Sequence, residues 1–162
     1  MSAVRAWLAT ACLLFAGTAN AQPAPSLLDA YGRTVALLSF MTSYVAESLL
    51  ACEERNFLSR GEADARFKAY RERNAALLER ADTWKQEAEK RLRSQGEEGA
   101  APERAEEAGM SATAAGLARV HAEMENVRDV RALCAGKAEG IESGRYDLSL
   151  NAELVGLLKT NP

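Results

Sequence analysis

The segment 26–52 constrains the fold of this chain more than any other, because it is long, apolar and almost free of charge. Its apolar positions repeat with a heptad-like spacing, at Tyr31, Val35, Leu38, Thr42, Val45, Leu49 and Cys52. Only Asp29, Arg33 and Glu47 carry charge before residue 53. A helix that is apolar nearly all round is either a central core helix or a membrane span. We favour the core helix, because Arg33, Glu47 and many Ser and Thr residues interrupt the apolar surface.

The rest of the chain predicts further helices and no strands. Aromatic residues make up only 6% of the sequence, and the strong helix formers Ala, Leu, Glu and Arg abound. A charged helix with a thin apolar stripe is expected from Ser59 to Ser94, with Glu62 at the capping-box position. A third helix is expected at 111–142 and a short fourth one at 151–159. Ser26 and Asn151 are the expected N-caps of the first and fourth helices. The predicted fold is therefore all-α, a small up-and-down helical bundle of three long helices plus a short C-terminal helix.

Residues 95–110 separate the second and third predicted helices. They are rich in Gly, Ala and Glu, they contain Pro102, and they hold no large apolar residue before Met110. This composition favours a flexible acidic linker, with a helical turn after Pro102 as an alternative for its second part. We expect the linker to lie inside one helical domain that covers residues 22–162.

The N-terminus predicts export. Arg5 precedes an apolar run at residues 6–16, and Ala19-Asn20-Ala21 gives a small-x-small cleavage site. These are the parts of a secretory signal peptide, and the run is too short for a permanent membrane span. We interpret residues 1–21 as a signal peptide cleaved after Ala21, and we expect a periplasmic or secreted protein. Cys12 lies in the middle of the apolar run, which argues against lipid attachment there.

Two cysteines remain after this cleavage, Cys52 and Cys134. In an oxidising compartment a single pair can join in one way within the chain, and free thiols are the exception. The sequence therefore predicts one disulfide that closes a loop of about eighty residues, for which the chain-entropy model gives about 4–5 kcal/mol of stabilisation. The alternative is a pair of free buried thiols.

Two polar clusters are candidates for interaction with a partner. The first is Arg71, Arg73 and Asn74, beside the apolar stripe of the second predicted helix. Asn74 takes a stripe position, where a partly buried amide needs hydrogen-bond partners. It either contacts a ligand or fixes the helix register, as single polar core residues do in helical bundles, and we favour the second interpretation.

The second cluster is Arg145, Tyr146 and Asp147, between the third and fourth predicted helices. Loops carry function more often than helices do, so this segment is a candidate recognition loop. The alternative, which we slightly prefer, is a tight turn in which Asp147 caps a helix and Tyr146 packs.

Motifs for chemistry are missing from the sequence. His121 is the single histidine, and with Glu125 it offers too few ligands for a metal site. Phosphate loops, nucleophile elbows and haem-attachment motifs do not occur, and the net charge of −3 gives no reason to expect nucleic acid. We therefore expect no cofactor and no enzymatic activity.

The expected function is that of an exported protein-protein interaction module, such as an adaptor, a chaperone-like binder or an inhibitor or immunity protein. Its expected partner is an unknown protein of the cell envelope, and we do not expect an integral membrane protein. The alternative is a helical bundle that binds a small ligand between its helices.

Overall fold

The computed structural model describes residues 25–97 and 99–160, and the predicted signal peptide lies outside these residues. The described residues fold into six α-helices without a strand, which confirms the all-helical prediction. The helices are α1 (Leu27–Glu54), α2 (Arg60–Arg73), α3 (Ala75–Ser94), α4 (Ala100–Asn126), α5 (Val130–Glu142) and α6 (Ala152–Leu157). A 3₁₀ turn at Leu148–Leu150 precedes α6.

Several helices begin where the sequence predicts, because a side chain caps their first free N–H groups. The Ser26 hydroxyl accepts a hydrogen bond from the Asp29 N–H at the start of α1. Ser59 and Glu62 form the complete capping box of α2. Asn151 accepts from the Leu154 N–H at the start of α6.

The arrangement of three long helices and one short helix is not what the structure shows, since two of the predicted long helices are broken. The second predicted helix is divided into α2, which ends at Arg73, and α3, which begins at Ala75, with Asn74 between them. The third predicted helix is divided into α4 and α5. Val127 has an extended backbone at the end of α4, and the Asp129 side chain caps α5 by accepting a hydrogen bond from the Ala132 N–H. In both places a polar side chain supplies hydrogen bonds that compete with a continuous helix.

The predicted linker at 95–110 is wrong for most of its length, because α4 begins at Ala100. The connection shrinks to a short turn in which Gly96 takes a positive φ of 85°. Pro102 lies in the first turn of α4, where a missing N–H costs little. Ala101 is 3% exposed in the core. The small residues that suggested a linker are thus the ones that let α4 pack closely.

Helices α1 and α4 form the most extensive helix pair, and they run parallel. Gly32 lies against Arg104 near the start of both helices, and His121 pairs with Glu47 further along both. Gly116 allows the closest approach, because a Cβ there would lie 3.1 Å from the backbone oxygen of Phe40. An up-and-down bundle would place sequential antiparallel helices side by side, so this pairing differs from the expected topology.

The main core lies along α1, where α2, α3, α5, the 3₁₀ turn and α6 meet it. Its most buried members include Val45, Tyr70, Ala81, Leu92, Ile141, Leu148 and Leu154. The C-terminal end is fixed to α3, since the Arg80 guanidinium donates to the Leu158 carbonyl and the Trp84 indole N–H donates to the Thr160 carbonyl.

The predicted disulfide is confirmed. Cys52, near the end of α1, is joined to Cys134 in α5, with an S–S distance of 2.06 Å and a Cα–Cα distance of 5.6 Å. Both residues are buried, at 1% and 2% exposure. The bridge closes the α1 end of the fold onto α5 and is compatible with export.

Candidate functional site

Three of the residues predicted as an interaction site meet in one internal cluster. Asn74 is 2% exposed; its Oδ1 accepts from the Leu148 N–H at 2.8 Å, and its Nδ2 donates to the Tyr70 carbonyl at 2.8 Å. Asp147 accepts from Asn74 Nδ2 at 3.3 Å and from the Arg73 guanidinium at 3.2 Å. These bonds tie the α2–α3 break to the turn before α6, which supports the register-fixing interpretation of Asn74.

The other predicted residues lie apart from that cluster. Arg71 and Arg145 are exposed. Tyr146 packs closely on Gly140, where a Cβ would lie 2.7 Å from the ring, and its ring lies 5.8 Å from that of Tyr44. The segment 145–147 is therefore a packed turn, in which Tyr146 contacts Tyr44 and Asp147 contacts Arg73 and Asn74.

His121 contacts Glu47 of α1 in the structure, whereas the sequence suggested Glu125 as its neighbour. Its Nε2 lies 3.2 Å from Glu47 Oε1 on α1, and its side chain is 63% exposed. Within residues 25–97 and 99–160, no group of three or more His, Cys, Asp or Glu side chains is placed to hold a metal ion.

A second cluster, which we call the lysine cluster, consists of Tyr44, Arg119, Glu123, Lys137 and Tyr146. Lys137 is 3% exposed, and its Nζ donates to Glu123 Oε2 at 2.5 Å and to the Tyr44 hydroxyl at 2.7 Å. The same Nζ lies 4.3 Å from the centre of the Tyr44 ring, within cation–π distance. Glu123 also accepts from the Tyr44 hydroxyl at 2.9 Å and from Arg119 Nε at 3.0 Å.

The electrostatics of the lysine cluster favour an ionised Glu123 and neutral phenols. Burial acts to raise the pKa of Glu123, but the hydrogen bonds from Lys137, Arg119 and Tyr44 outweigh it and hold that pKa below its usual value. Burial, together with the hydrogen bond to Glu123, raises the pKa of Tyr44 to about 12. Burial also raises the pKa of Tyr146, with a further contribution from Tyr44.

The sequence contains a signal for Lys137 but none for its pairing with Glu123. Lys137 lies three residues after Cys134 and four before Ile141, so it falls on the buried side of its helix. On one continuous helix, Glu123 and Lys137 would be about 21 Å apart along the axis. The break at 127–129 redirects the chain so that α5 packs on α1 and α2, and this brings the charges of Lys137 and Glu123 together.

A cavity of about 170 Å³ adjoins the lysine cluster. Tyr44, Arg119 and Tyr146 of the cluster form part of its wall, and Phe40, Met41 and Val45 of α1 form the rest. The Phe40 and Tyr44 rings are stacked, with centres 6.1 Å apart and planes 13° apart. The cavity is thus apolar and aromatic with a guanidinium at its edge.

A longer groove of about 500 Å³, the α1–α4 groove, runs between the two parallel helices and shares Phe40 with that cavity. Its apolar lining is Ala36, Leu37 and Phe40 from α1 with Ala108, Ala112 and Ala115 from α4. Arg33, Arg104 and Glu107 also line it, so charges of both signs accompany the apolar lining.

The surface of α1 explains why such a groove exists. Among the described residues α1 is the helix that is long and apolar enough to cross a membrane by length and composition, yet only 28% of its most apolar window is buried. Much of its apolar side remains partly open, even though α4 covers one flank.

Comparisons of the chain with protein-family models, with curated proteins and with solved structures found no significant match. The fold and the clusters described above therefore carry the functional argument.

Proposed function

We propose that this chain is an exported, non-enzymatic interaction module that binds a helix of a cell-envelope protein in the α1–α4 groove. One observation carries the proposal: the apolar α1 residues that line the groove, Ala36, Leu37 and Phe40, are only partly buried by their own chain. Apolar side chains that a folded protein leaves accessible along one continuous groove are candidates for contact with a partner.

The shape of the α1–α4 groove favours a helix as its occupant. Ala108, Ala112 and Ala115 recur at helical spacing along one wall, and Ala36 and Phe40 do so along the other. Small residues let a third helix approach two parallel ones closely, and helix-in-groove binding uses anchors at this same repeat. The groove extends over about two turns of α1 and about three turns of α4, which matches a short amphipathic segment.

The charges around the α1–α4 groove favour a protein partner over a lipid bilayer. Arg33 is paired with Glu153, and Arg104 is paired with Asp29 and Glu107. Charged groups are expensive inside a bilayer, whereas the rims of protein interfaces are polar. The disulfide also ties α1 to α5, so α1 cannot leave the fold by itself.

Export and the lack of catalysis are parts of the same proposal. Export is supported by the disulfide and by the signal peptide predicted at residues 1–21. A non-enzymatic role is supported by the state of the reactive side chains. Cys52 and Cys134 are bonded to each other, and the single histidine, His121, is exposed and paired with Glu47.

Site-specific photocrosslinking in the native cell envelope tests the proposal. A photoreactive residue at Ala112 should capture one protein, and the captured peptide should come from an amphipathic helix. Ala112→Arg, carried by a chain with the photoreactive residue at Ala108, should abolish the capture. Ala114→Arg is the matched control, since Ala114 is exposed on the same helix and does not line the groove.

Three results would contradict the proposal. Capture that survives Ala112→Arg would place the partner elsewhere. Crosslinks to lipid would support membrane insertion of α1, and crosslinks to a second copy of the chain would make the groove a self-association surface. Circular dichroism of both arginine variants must show native helix content and an unchanged Tm.

A further inference from the structure

We propose that the cavity beside the lysine cluster binds a small carboxylate with a single aromatic ring. This site adjoins the α1–α4 groove and shares Phe40 with it, but the proposal does not depend on the function assigned to that groove. It rests on the charge balance of the cluster, the size of the cavity and the chemistry of its walls.

The charge balance favours an anion. Arg119 and Lys137 share one carboxylate, that of Glu123, so these three side chains carry a net positive charge. Arg145 adds to it, because its charge reaches the Tyr146 phenol. The two phenols supply no negative charge near neutral pH, since Tyr44 and Tyr146 stay protonated. A second carboxylate would therefore neutralise the cluster.

Arg119 is the group that can receive that carboxylate. It lines the cavity, and its side chain is 61% exposed, so its guanidinium can be reached from the cavity. A guanidinium has five N–H donors, and the bond to Glu123 is made by Nε. Donors therefore remain for a ligand, and arginine binds carboxylates with charge-assisted hydrogen bonds. Lys137, by contrast, is buried behind Tyr44 and Glu123 and acts through its charge.

The walls and the volume define the rest of the ligand. A closed apolar cavity of about 150 Å³ holds one benzene ring. This cavity is partly open to solvent and measures about 170 Å³, so it has room for one ring. Phe40, Tyr44 and Tyr146 offer ring faces and edges for stacking, and Met41 offers a thioether. A one-ring acid fills this space with its ring and points its carboxylate at Arg119.

Titration of the purified, oxidised protein with benzoate tests the inference, with the methionine methyl groups observed by ¹³C NMR. The Met41 methyl should shift and saturate, because Met41 lines the cavity. Met110 is exposed and Met124 is buried outside the cavity, so both serve as internal references. Benzyl alcohol keeps the ring without the charge, and acetate keeps the charge without the ring. Each should bind at least about tenfold more weakly than benzoate.

Arg119→Gln should weaken benzoate binding about tenfold or more and leave benzyl alcohol binding unchanged, which shows that the cavity is intact. Arg128→Gln is the matched control, since Arg128 is exposed in the α4–α5 connection, and it should bind benzoate as the wild type does. Ala112→Arg should also leave benzoate binding intact, so failure of the groove proposal is distinguishable from failure of this one.

Three outcomes would overturn the inference. A Met41 methyl that does not respond to benzoate would show that the cavity does not bind this class of ligand. Equal affinities for benzoate and benzyl alcohol would remove the argument from charge. An Arg119→Gln protein that binds benzoate as tightly as the wild type would remove Arg119 as the anchor.

Discussion

Replacement of Glu123 by Gln keeps the shape of the side chain and removes the carboxylate that neutralises Lys137. The lysine side chain is 4% exposed and that of Glu123 is 29% exposed, so the two partners differ sharply in their access to water. Breaking a buried ion pair costs about 3–5 kcal/mol when a charge is left behind without its partner. We expect a loss of about 3 kcal/mol, at the low end of that range, because the Tyr44 hydroxyl and ring still contact the ammonium.

The reciprocal change, Lys137→Met, should cost much less. The methionine fills the space of the lysine stem, and Glu123 keeps Arg119, the Tyr44 hydroxyl and partial contact with water. We expect a loss of about 1 kcal/mol or less, as for a partly exposed ion pair. The double variant leaves no buried charge, so it should lie within about 1 kcal/mol of the wild type, with a coupling free energy of about 3 kcal/mol between the two positions.

Urea unfolding of the oxidised proteins, followed by far-ultraviolet circular dichroism, measures these free energies, provided that the m-values agree. The fluorescence of Trp84, which is buried in the core, gives an independent transition. The reasoning is refuted if Lys137→Met destabilises the fold as much as Glu123→Gln, or if the two losses simply add in the double variant.

Three further perturbations test other parts of the fold. Serine at both Cys52 and Cys134 should lower the free energy of unfolding by about 4–5 kcal/mol, because the bridge spans 82 residues, and urea unfolding of this variant against the oxidised wild type measures the loss. Gly116→Ala should lower the free energy of unfolding by about 1–3 kcal/mol, since the new Cβ would lie 2.5 Å from the Ser43 hydroxyl. Gly136→Ala meets open space and should stabilise α5 by about 0.5–1 kcal/mol. The Tm of each variant, compared with that of the wild type, tests both expectations. The pKa of Glu123 is lowered in the folded state, so the stabilisation from its carboxylate is present above the unfolded pKa and is lost as the pH falls through the folded pKa. The difference in free energy of unfolding between the wild type and Glu123→Gln should therefore become smaller below about pH 4. A difference that grows there would contradict the ionised state assigned to Glu123.

The parts of the fold that the sequence predicts correctly are those fixed by local chemistry or by elimination. The caps at Ser26, Ser59 and Asn151 depend on side chains within three residues of the N–H groups they satisfy. The disulfide follows because only two cysteines remain after the predicted signal peptide is removed. Neither inference needs knowledge of which helices are neighbours.

The parts that the sequence does not predict depend on helix neighbours. Residues 100–110 have no apolar stripe strong enough to indicate a helix, and they become helical because their small side chains fit against α1. The lysine cluster needs both the break at 127–129 and the parallel approach of α4 to Tyr44. A pattern read along a single helix contains neither.

The parallel pairing of α1 and α4 bears on the rate at which the chain can fold. The helices α2 and α3 separate α1 from α4 along the chain. The interface between α1 and α4 therefore forms only after a long loop has been closed, and that closure costs conformational entropy. Helical proteins built from neighbouring hairpins have low contact order and fold fast, whereas this topology places its largest interface at high sequence separation and slows folding. Under the proposed export, slow folding would be an advantage, because a polypeptide has to stay unfolded until it has crossed a membrane pore.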